Sequence, residues 1–181
     1  KMMLYYKGMG DVMELKDTIR AIENYPKPGV IFRDITTLLK DNYAFKLSVD
    51  EMAEKIDKDV DKIIGIEARG FIFGSALAYK LGKGFIPVRK PGKLPANKIK
   101  EFYELEYGRD SIEIHEDAIE PGEKVVIVDD LLATGGTAKA CVDLVKKLEG
   151  EVSSLVFLVE LPELKGREVL DGEKVYSVIK Y

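Results

Sequence analysis

Leu15, Ile19 and Ile22 recur at helical spacing, and the pattern stops at "YPKPG", where two prolines and a glycine end it. This predicts one amphipathic helix followed by a turn. The next run, "VIFRDITTLL", is short and apolar with a polar centre. In "NYAFKLSVDEMAEKID", Phe45, Val49, Met52 and Ile56 fall on one face of a second helix. The stretch "KIIGIEARGFIFGSALAYKLG" reads as a buried strand, a polar turn from Glu67 to Gly70, and a helix that Gly82 closes. Further on, "GFIPVR" and "EKVVIVDD" read as strands, "TAKACVDLVKKLEG" as a helix stopped by Gly150, and "SSLVFLVEL" as another strand. Strands of unbroken β-branched and aliphatic residues, alternating with helices, predict a sheet buried on both faces. The expected fold is α/β: a doubly wound, mostly parallel sheet with helices on both faces.

One segment breaks this rhythm. Tyr103, Leu105 and Tyr107 alternate with Glu104 and Glu106, and Ile112 and Ile114 flank Glu113, with Gly108-Arg109-Asp110 between the two runs. The alternation predicts a two-stranded β ribbon over about residues 100–116, with one face in water. A ribbon projecting from an α/β core is a lid or an oligomer contact.

Composition narrows the class. With 181 residues, 46% of them hydrophobic, the chain can build one core. A single domain is expected over residues 13–181, with residues 1–12 as an extension ahead of a natural start at Met13. A net charge of −4 supplies no global basic field, which disfavours a nucleic-acid partner. Cys141 and His115 are the only cysteine and histidine, so neither an intrachain disulfide nor a Cys/His zinc spacing is available. Cys141 is expected in the core, His115 on the hairpin or the surface, and a reducing cytoplasm fits best. The apolar stretches "GFIFGSALAY" and "SLVFLV" are short for a membrane span, and "KMMLYY" lacks a signal-peptide pattern.

The chemistry gathers in "VVIVDDLLATGGTA". Ligands of doubly wound sheets bind beyond the carboxyl ends of the strands, and here a strand runs into Asp129-Asp130, then Ala133, Thr134, Gly135, Gly136 and Thr137 lead into a helix. Such a loop can wrap backbone N–H groups around an anion, with the helix N-terminus adding its positive dipole end. No lysine follows the glycines, so it is not a Walker loop. An ionised carboxylate only accepts hydrogen bonds, so two of them beside a phosphate cradle suit the vicinal hydroxyls of a ribose. A ribose 5-phosphate would satisfy both halves. Taken alone, two aspartates before a turn are equally a solvated strand end.

Charge is uneven around this motif. The chain holds 32 acidic residues, yet none lies between Ala68 and Lys100. That window carries Arg69, Arg89, Lys90 and Lys93, a cationic set suited to an anionic substrate; part of the bias is also what a buried helix at "GFIFGSALAY" would produce.

"VVIVDDLLATGGT" closely resembles the phosphoribosyl pyrophosphate signature of the type I phosphoribosyltransferases. "YPKPGVIFRDIT", "IEARGFIFG", "VRKPGKLP", "LEYGRDSIEIHEDAI" and "LVELPELKGRE" are similar, in this order, to blocks of the adenine-specific branch of that family. The resemblance implies transfer of the 5-phosphoribosyl group to adenine, giving AMP and pyrophosphate. It assigns the ribose 5-phosphate to Asp129, Asp130 and Ala133 to Thr137, and the pyrophosphate to Arg69, Gly70, Arg89, Lys90 and Lys93. Adenine falls to the backbone at Ile31, Phe32 and Arg33 with Leu161 on the other face. Glu106 and Arg69 are the implied catalytic residues, and Tyr107 the residue of the lid that covers the site. Magnesium would come bound to the sugar substrate without ligands from the protein, and the chain would form a homodimer through residues near "IEARGFIFG" and "VRK". Plainer alternatives stand beside these roles: Arg69 as a surface ion-pair partner, Glu106 as an exposed strand residue, Phe32 as core. A regulator that only senses the sugar substrate, or a relative using orotate or a 6-oxopurine, is the competing reading.

Overall fold

The computed structural model describes residues 4–6, 12–105 and 108–181. They belong to two compact units, Lys1–Glu51 and Met52–Tyr181.

In the first unit, β1 (Leu4–Tyr6) pairs antiparallel with β2 (Val12–Glu14). The helix expected from Leu15 does not form. Leu15–Thr18 is a single 3-10 turn, and Arg20–Glu23 is a strand, β3, paired antiparallel with β4 (Ile31–Asp34). Leu15 and Ile19 are buried as their spacing implied, but Ile22 is 36% exposed and sits opposite Phe32 across the ladder. Three apolar positions fit one helical face, yet cross-strand pairing satisfies the same backbone and the β-branched Ile22 better. The Pro/Gly segment read as a helix stop is the connection between these strands. After β4 come α1 (Thr36–Leu39) and α2 (Asn42–Ala53). Asp34 prepares that entry: its carboxylate accepts from the Thr36 N–H at 2.9 Å and from Arg20 Nε at 3.0 Å, which lowers its pKa to about 2.

The second unit carries β5 (Lys62–Ile66), α3 (Gly70–Leu81), β6 (Gly84–Val88), β7 (Lys98–Leu105) and β8 (Gly108–His115). β9 (Lys124–Leu132), α4 (Gly136–Lys147), β10 (Glu151–Glu160), α5 (Gly166–Val169) and β11 (Val175–Lys180) complete it. The sheet is five-stranded and parallel, in the order β11-β10-β9-β5-β6. Alternate residues serve its two faces. Ile64, Ile66, Val125, Ile127, Leu155 and Phe157 join one buried cluster with α4. On the other face Gly65 admits α3: a Cβ on Gly74 would lie 3.2 Å from the Gly65 Cα. The doubly wound arrangement with helices on both faces is therefore as the alternating pattern predicts.

Three local expectations change. The ribbon of β7 and β8 is present, but its base is not open to water on one side, since Ser111 to Ile114 are all buried. Its members Gly108 to Asp110 belong to β8 and do not separate two runs. Gly150 stops α4 by fit and not by dihedral: Glu149 takes the positive φ of 59°, while a Cβ on Gly150 would meet Ile119 Cγ2 at 2.8 Å. Finally, β9 continues through Asp129 and Asp130 to Leu132, with Asp129 level with Phe157 of β10.

Beyond β10, Glu160 anchors the chain's return to the sheet. It is 3% exposed and takes a two-pronged bond from Arg167, at 2.6 and 2.8 Å, while Arg167 also donates to the Val175 carbonyl at 2.8 Å. The Arg167 hydrogen bonds, against opposing burial and with help from Ser177, lower Glu160 from 4.5 to about 2. A depressed carboxylate stabilises the fold fully above its unfolded pKa and loses that contribution as pH falls through the folded one. Stability should thus decline between about pH 5 and pH 2. Arg167→Met should cost about 2–3 kcal/mol in urea melts at neutral pH, because a buried carboxylate loses its main partner while Ser177 and Lys180 remain. The same variant should show a shallower acid decline; an unchanged melt would mean that Glu160 does not depend on Arg167.

Candidate active site

Because β5, β6, β9 and β10 run parallel, their carboxyl ends share one rim of the sheet. The rim receives the Glu67-to-Gly70 turn after β5, Arg89 and Lys90 after β6, the end of β9 with its loop, and Leu161 after β10. The sequence therefore brings together Arg69, Gly70, Arg89, Lys90, Asp129, Asp130 and the Ala133–Thr137 loop. Ile31, Phe32 and Arg33 lie in β4 of the first unit. Glu106 and Tyr107 lie outside the described residues.

The loop after β9 borders a cleft lined by Asp129, Leu131, Leu132, residues 133–138 and Phe157. Gly135 turns the chain with φ of +83° and caps α4. It also lies against the first residue of α5: a Cβ there would come within 2.6 Å of the Gly166 carbonyl oxygen, and Gly166 in turn leaves no room for a Cβ beside the Ala133 carbonyl. Two glycines from distant segments thus clamp the loop in place. The first-turn N–H groups of α4 have no carbonyl four residues back, so they and the dipole present positive charge to the cleft. Gly136 differs from Gly135, since its Cβ position meets only Tyr103 Cδ2 and the Glu104 carbonyl at 3.5 Å.

The two aspartates do different work. Asp129 lines the cleft and accepts the Asp130 N–H at 2.9 Å. Burial first, then the charge of Asp130, hold its pKa well above the ordinary carboxylate range. Gly70 makes the close approach possible, for a Cβ there would lie 2.8 Å from Asp129 Oδ1. Asp130 is 5% exposed and pairs with Arg69, whose Nε is 3.0 Å from Oδ2; burial raises its pKa and Arg69 opposes the rise.

The cationic window is held by acids just outside it. Arg89 Nε and Nη2 donate to Glu67 at 3.2 and 3.3 Å, Nη1 donates to the Lys93 carbonyl at 3.3 Å, and the Lys90 N–H donates to Glu67 at 2.9 Å. Burial would raise Glu67, but these donors outweigh it and leave the carboxyl below its ordinary value. Lys90 Nζ donates to the Tyr103 hydroxyl and to Asp110 of the ribbon. Gly92 N–H donates to Glu113 at 3.0 Å, and Lys100 Nζ stands 3.4 Å from the same carboxylate. Glu67, Asp110 and Glu113 escape a sequence reading that counts charge by window: Glu67 directly precedes the acid-free stretch and the other two follow it. The ribbon's register, which sets Tyr103 opposite Asp110, is the signal that points to the second.

The remaining predicted residues are placed as follows. Leu161 is half-buried, its N–H bonded to the Leu132 carbonyl at 3.0 Å. Phe32 is half-buried and meets Tyr25 edge-on, ring centroids 5.3 Å apart, while Ile31 is 48% exposed. β3 and β4 form a two-stranded sheet, which makes β4 an edge strand. Cys141 is fully buried, which pushes its thiol pKa up, and His115 Nε2 accepts from the Ala96 N–H at 3.4 Å.

Residues 36–179 match the family model of the phosphoribosyl transferase domain. An adenine phosphoribosyltransferase of Halothermothrix orenii is 59% identical over 169 residues, covering 93% of this chain and 99% of that protein. The crystal structure of adenine phosphoribosyltransferase from Thermoanaerobacter pseudethanolicus superposes with a TM-score of 0.89 at 54% identity, covering 92% of this chain and 98% of the other. That of Saccharomyces cerevisiae, solved in complex with an imino-altritol bisphosphate and adenine, gives 0.87 at 40% identity, covering 91% and 96%.

Proposed function

The chain belongs to the phosphoribosyl transferase domain family, and from that premise we propose that it transfers the 5-phosphoribosyl group of phosphoribosyl pyrophosphate to adenine. The observation that carries this reading is the cleft at the end of β9, where a carboxylate stands beside a glycine-clamped loop and a helix N-terminus. The loop binds the 5-phosphate and Asp129 accepts from the ribose hydroxyls, with Asp130 fixing Arg69 next to it. A purine nitrogen forms a bond to the anomeric carbon as the bond to the pyrophosphate oxygen breaks, and the products are AMP and pyrophosphate.

Positive charge grows on the sugar while negative charge grows on the leaving group. Asp129 and Asp130 face the first; Arg69, Arg89, Lys90 and Lys93, with Gly70, face the second. Glu106 takes the proton that the purine nitrogen loses, and Tyr107 covers the site so that water does not intercept the activated sugar. Adenine recognition is assigned to the backbone at Ile31, Phe32 and Arg33 and to Leu161.

Magnesium fits as a passenger of the substrate. The donors here are carboxylate oxygens, which a hard cation accepts, but Asp130 is engaged by Arg69 and Asp129 by a backbone N–H. Pyrophosphate oxygens and water would complete the shell, and the bound ion neutralises charge on the leaving group. We propose a homodimer through residues near Ile66–Gly74 and Val88–Lys90, a cytoplasmic location, and no nucleic-acid or membrane partner.

Incubation with adenine, phosphoribosyl pyrophosphate and magnesium should yield AMP and pyrophosphate in equal amounts; hydrolysis of the sugar substrate without AMP would contradict the reading. Asp129→Asn replaces an acceptor oxygen by a donor. It should weaken phosphoribosyl pyrophosphate about tenfold in calorimetry and leave adenine affinity unchanged, the size of one hydrogen bond. Equal sugar-substrate affinity would remove Asp129 from the ribose.

A further inference from the structure

Lys90 is tied at both ends. Its N–H bonds to Glu67, which also holds Arg89, so its backbone belongs to the cationic turn. Its ammonium reaches the other way, to the Tyr103 hydroxyl and the Asp110 carboxylate, residues opposite one another in the ladder of β7 and β8. The Tyr103 hydroxyl donates to Asp110 Oδ2 at 3.1 Å, and Asp110 Oδ1 accepts the Ser111 N–H at 2.7 Å, so both partners are themselves fixed. Lys90 Nζ also stands 5.1 Å from the centre of the Tyr103 ring. The result is a closed triangle of ammonium, phenol and carboxylate linking the cation-bearing turn to the ribbon.

A lysine is a point charge on a flexible four-carbon stem, and ordering that stem costs about 2 kcal/mol of rotamer freedom. At Lys90 the stem is ordered before any anion arrives. An ammonium has three donors, and the triangle uses two of them, which leaves one for a phosphate oxygen. Resting on the assignment of Lys90 to pyrophosphate, we propose that Asp110, with Tyr103, is a positioning residue for the leaving group: it holds the Lys90 ammonium in place for pyrophosphate and ties the ribbon to the occupied site. Asp110 touches neither substrate; its effect passes through Lys90.

A double-mutant cycle read by calorimetry with magnesium pyrophosphate tests this without requiring turnover. Lys90→Ala and Asp110→Ala should each weaken pyrophosphate by about thirtyfold, the scale of the ordering cost. The pair together should be no weaker than Lys90→Ala alone, because Asp110 has nothing left to position. Asp110→Asn, which keeps an acceptor oxygen and the shape, should recover most of the affinity. In turnover, Asp110→Ala should raise the KM for phosphoribosyl pyrophosphate and leave the KM for adenine within twofold. The proposal is overturned if Asp110→Ala binds pyrophosphate as the unaltered protein does, or if its loss is the same with Lys90 present or removed, which would mark a purely structural role in the ribbon. An inert Lys90→Ala would overturn it too, by removing Lys90 from the pyrophosphate site. Absence of adenine turnover with the pyrophosphate cycle intact would instead count against the proposed reaction and leave the positioning role supported.

Discussion

Gly135→Val is expected to abolish measurable turnover while the protein stays folded. Gly135 holds φ at +83°, a left-handed conformation that costs an L-residue about 1–2 kcal/mol and a β-branched one more. A Cβ would also lie 2.6 Å from the Gly166 carbonyl oxygen, which is backbone and cannot rotate aside. The loop must therefore move, and it carries the N–H groups proposed to hold the 5-phosphate. A displacement of about 1 Å in a positioning group already costs on the order of 10²-fold in rate, and here the cradle, its helix terminus and the neighbouring Asp129 shift together. Circular dichroism should show the native helix and strand content, with thermal stability lowered by a few degrees. Full activity in Gly135→Val would show that this loop does not bind the phosphate.

Much of this arrangement is legible in the residues. Ile63 to Ile66, Val125 to Val128 and Leu155 to Val159 are strands because a run of aliphatic and β-branched residues has no polar face to give to water, and all are buried in the parallel sheet. The loop at Gly135 and Gly136 announces itself by composition and by its place between a strand and a helix. What escapes is pairing over distance. Three apolar residues at Leu15, Ile19 and Ile22 cannot disclose that β4 offers a strand to pair with, and β11 has too few buried positions to stand out: only Ile179 is fully inside. Gly166 looks like any glycine until the fold sets it on the Ala133 carbonyl. In the same way, nothing in "DD" separates Asp129, which lines the cleft, from Asp130, which holds Arg69, because that division is made by α3 arriving from another part of the chain.

Choice of base should produce the other large effect. Adenine presents a 6-amino donor and an unprotonated N1 acceptor, whereas hypoxanthine and guanine present a 6-oxo acceptor and an N1–H donor. A pocket that pairs with one pattern meets donor with donor and acceptor with acceptor in the other, and buried polar groups left unpaired are costly. The recognition proposed for the β4 backbone would sharpen this, because an N–H or C=O of the main chain, unlike a side-chain amide, cannot flip to suit a different base. Sites that hydrogen-bond their substrate reject a mismatched analogue by about 10⁴ or more. The same comparison separates the proposed reaction from its relatives that use orotate or 6-oxopurines.

The most direct test is a set of specificity constants, kcat/KM, measured in one buffer with phosphoribosyl pyrophosphate, magnesium and, in turn, adenine, hypoxanthine, guanine and orotate. The expected result is AMP formation with adenine at a specificity constant about 10⁴ above each of the others. Comparable values for adenine and hypoxanthine, or nucleotide formation from orotate in preference to adenine, would contradict it.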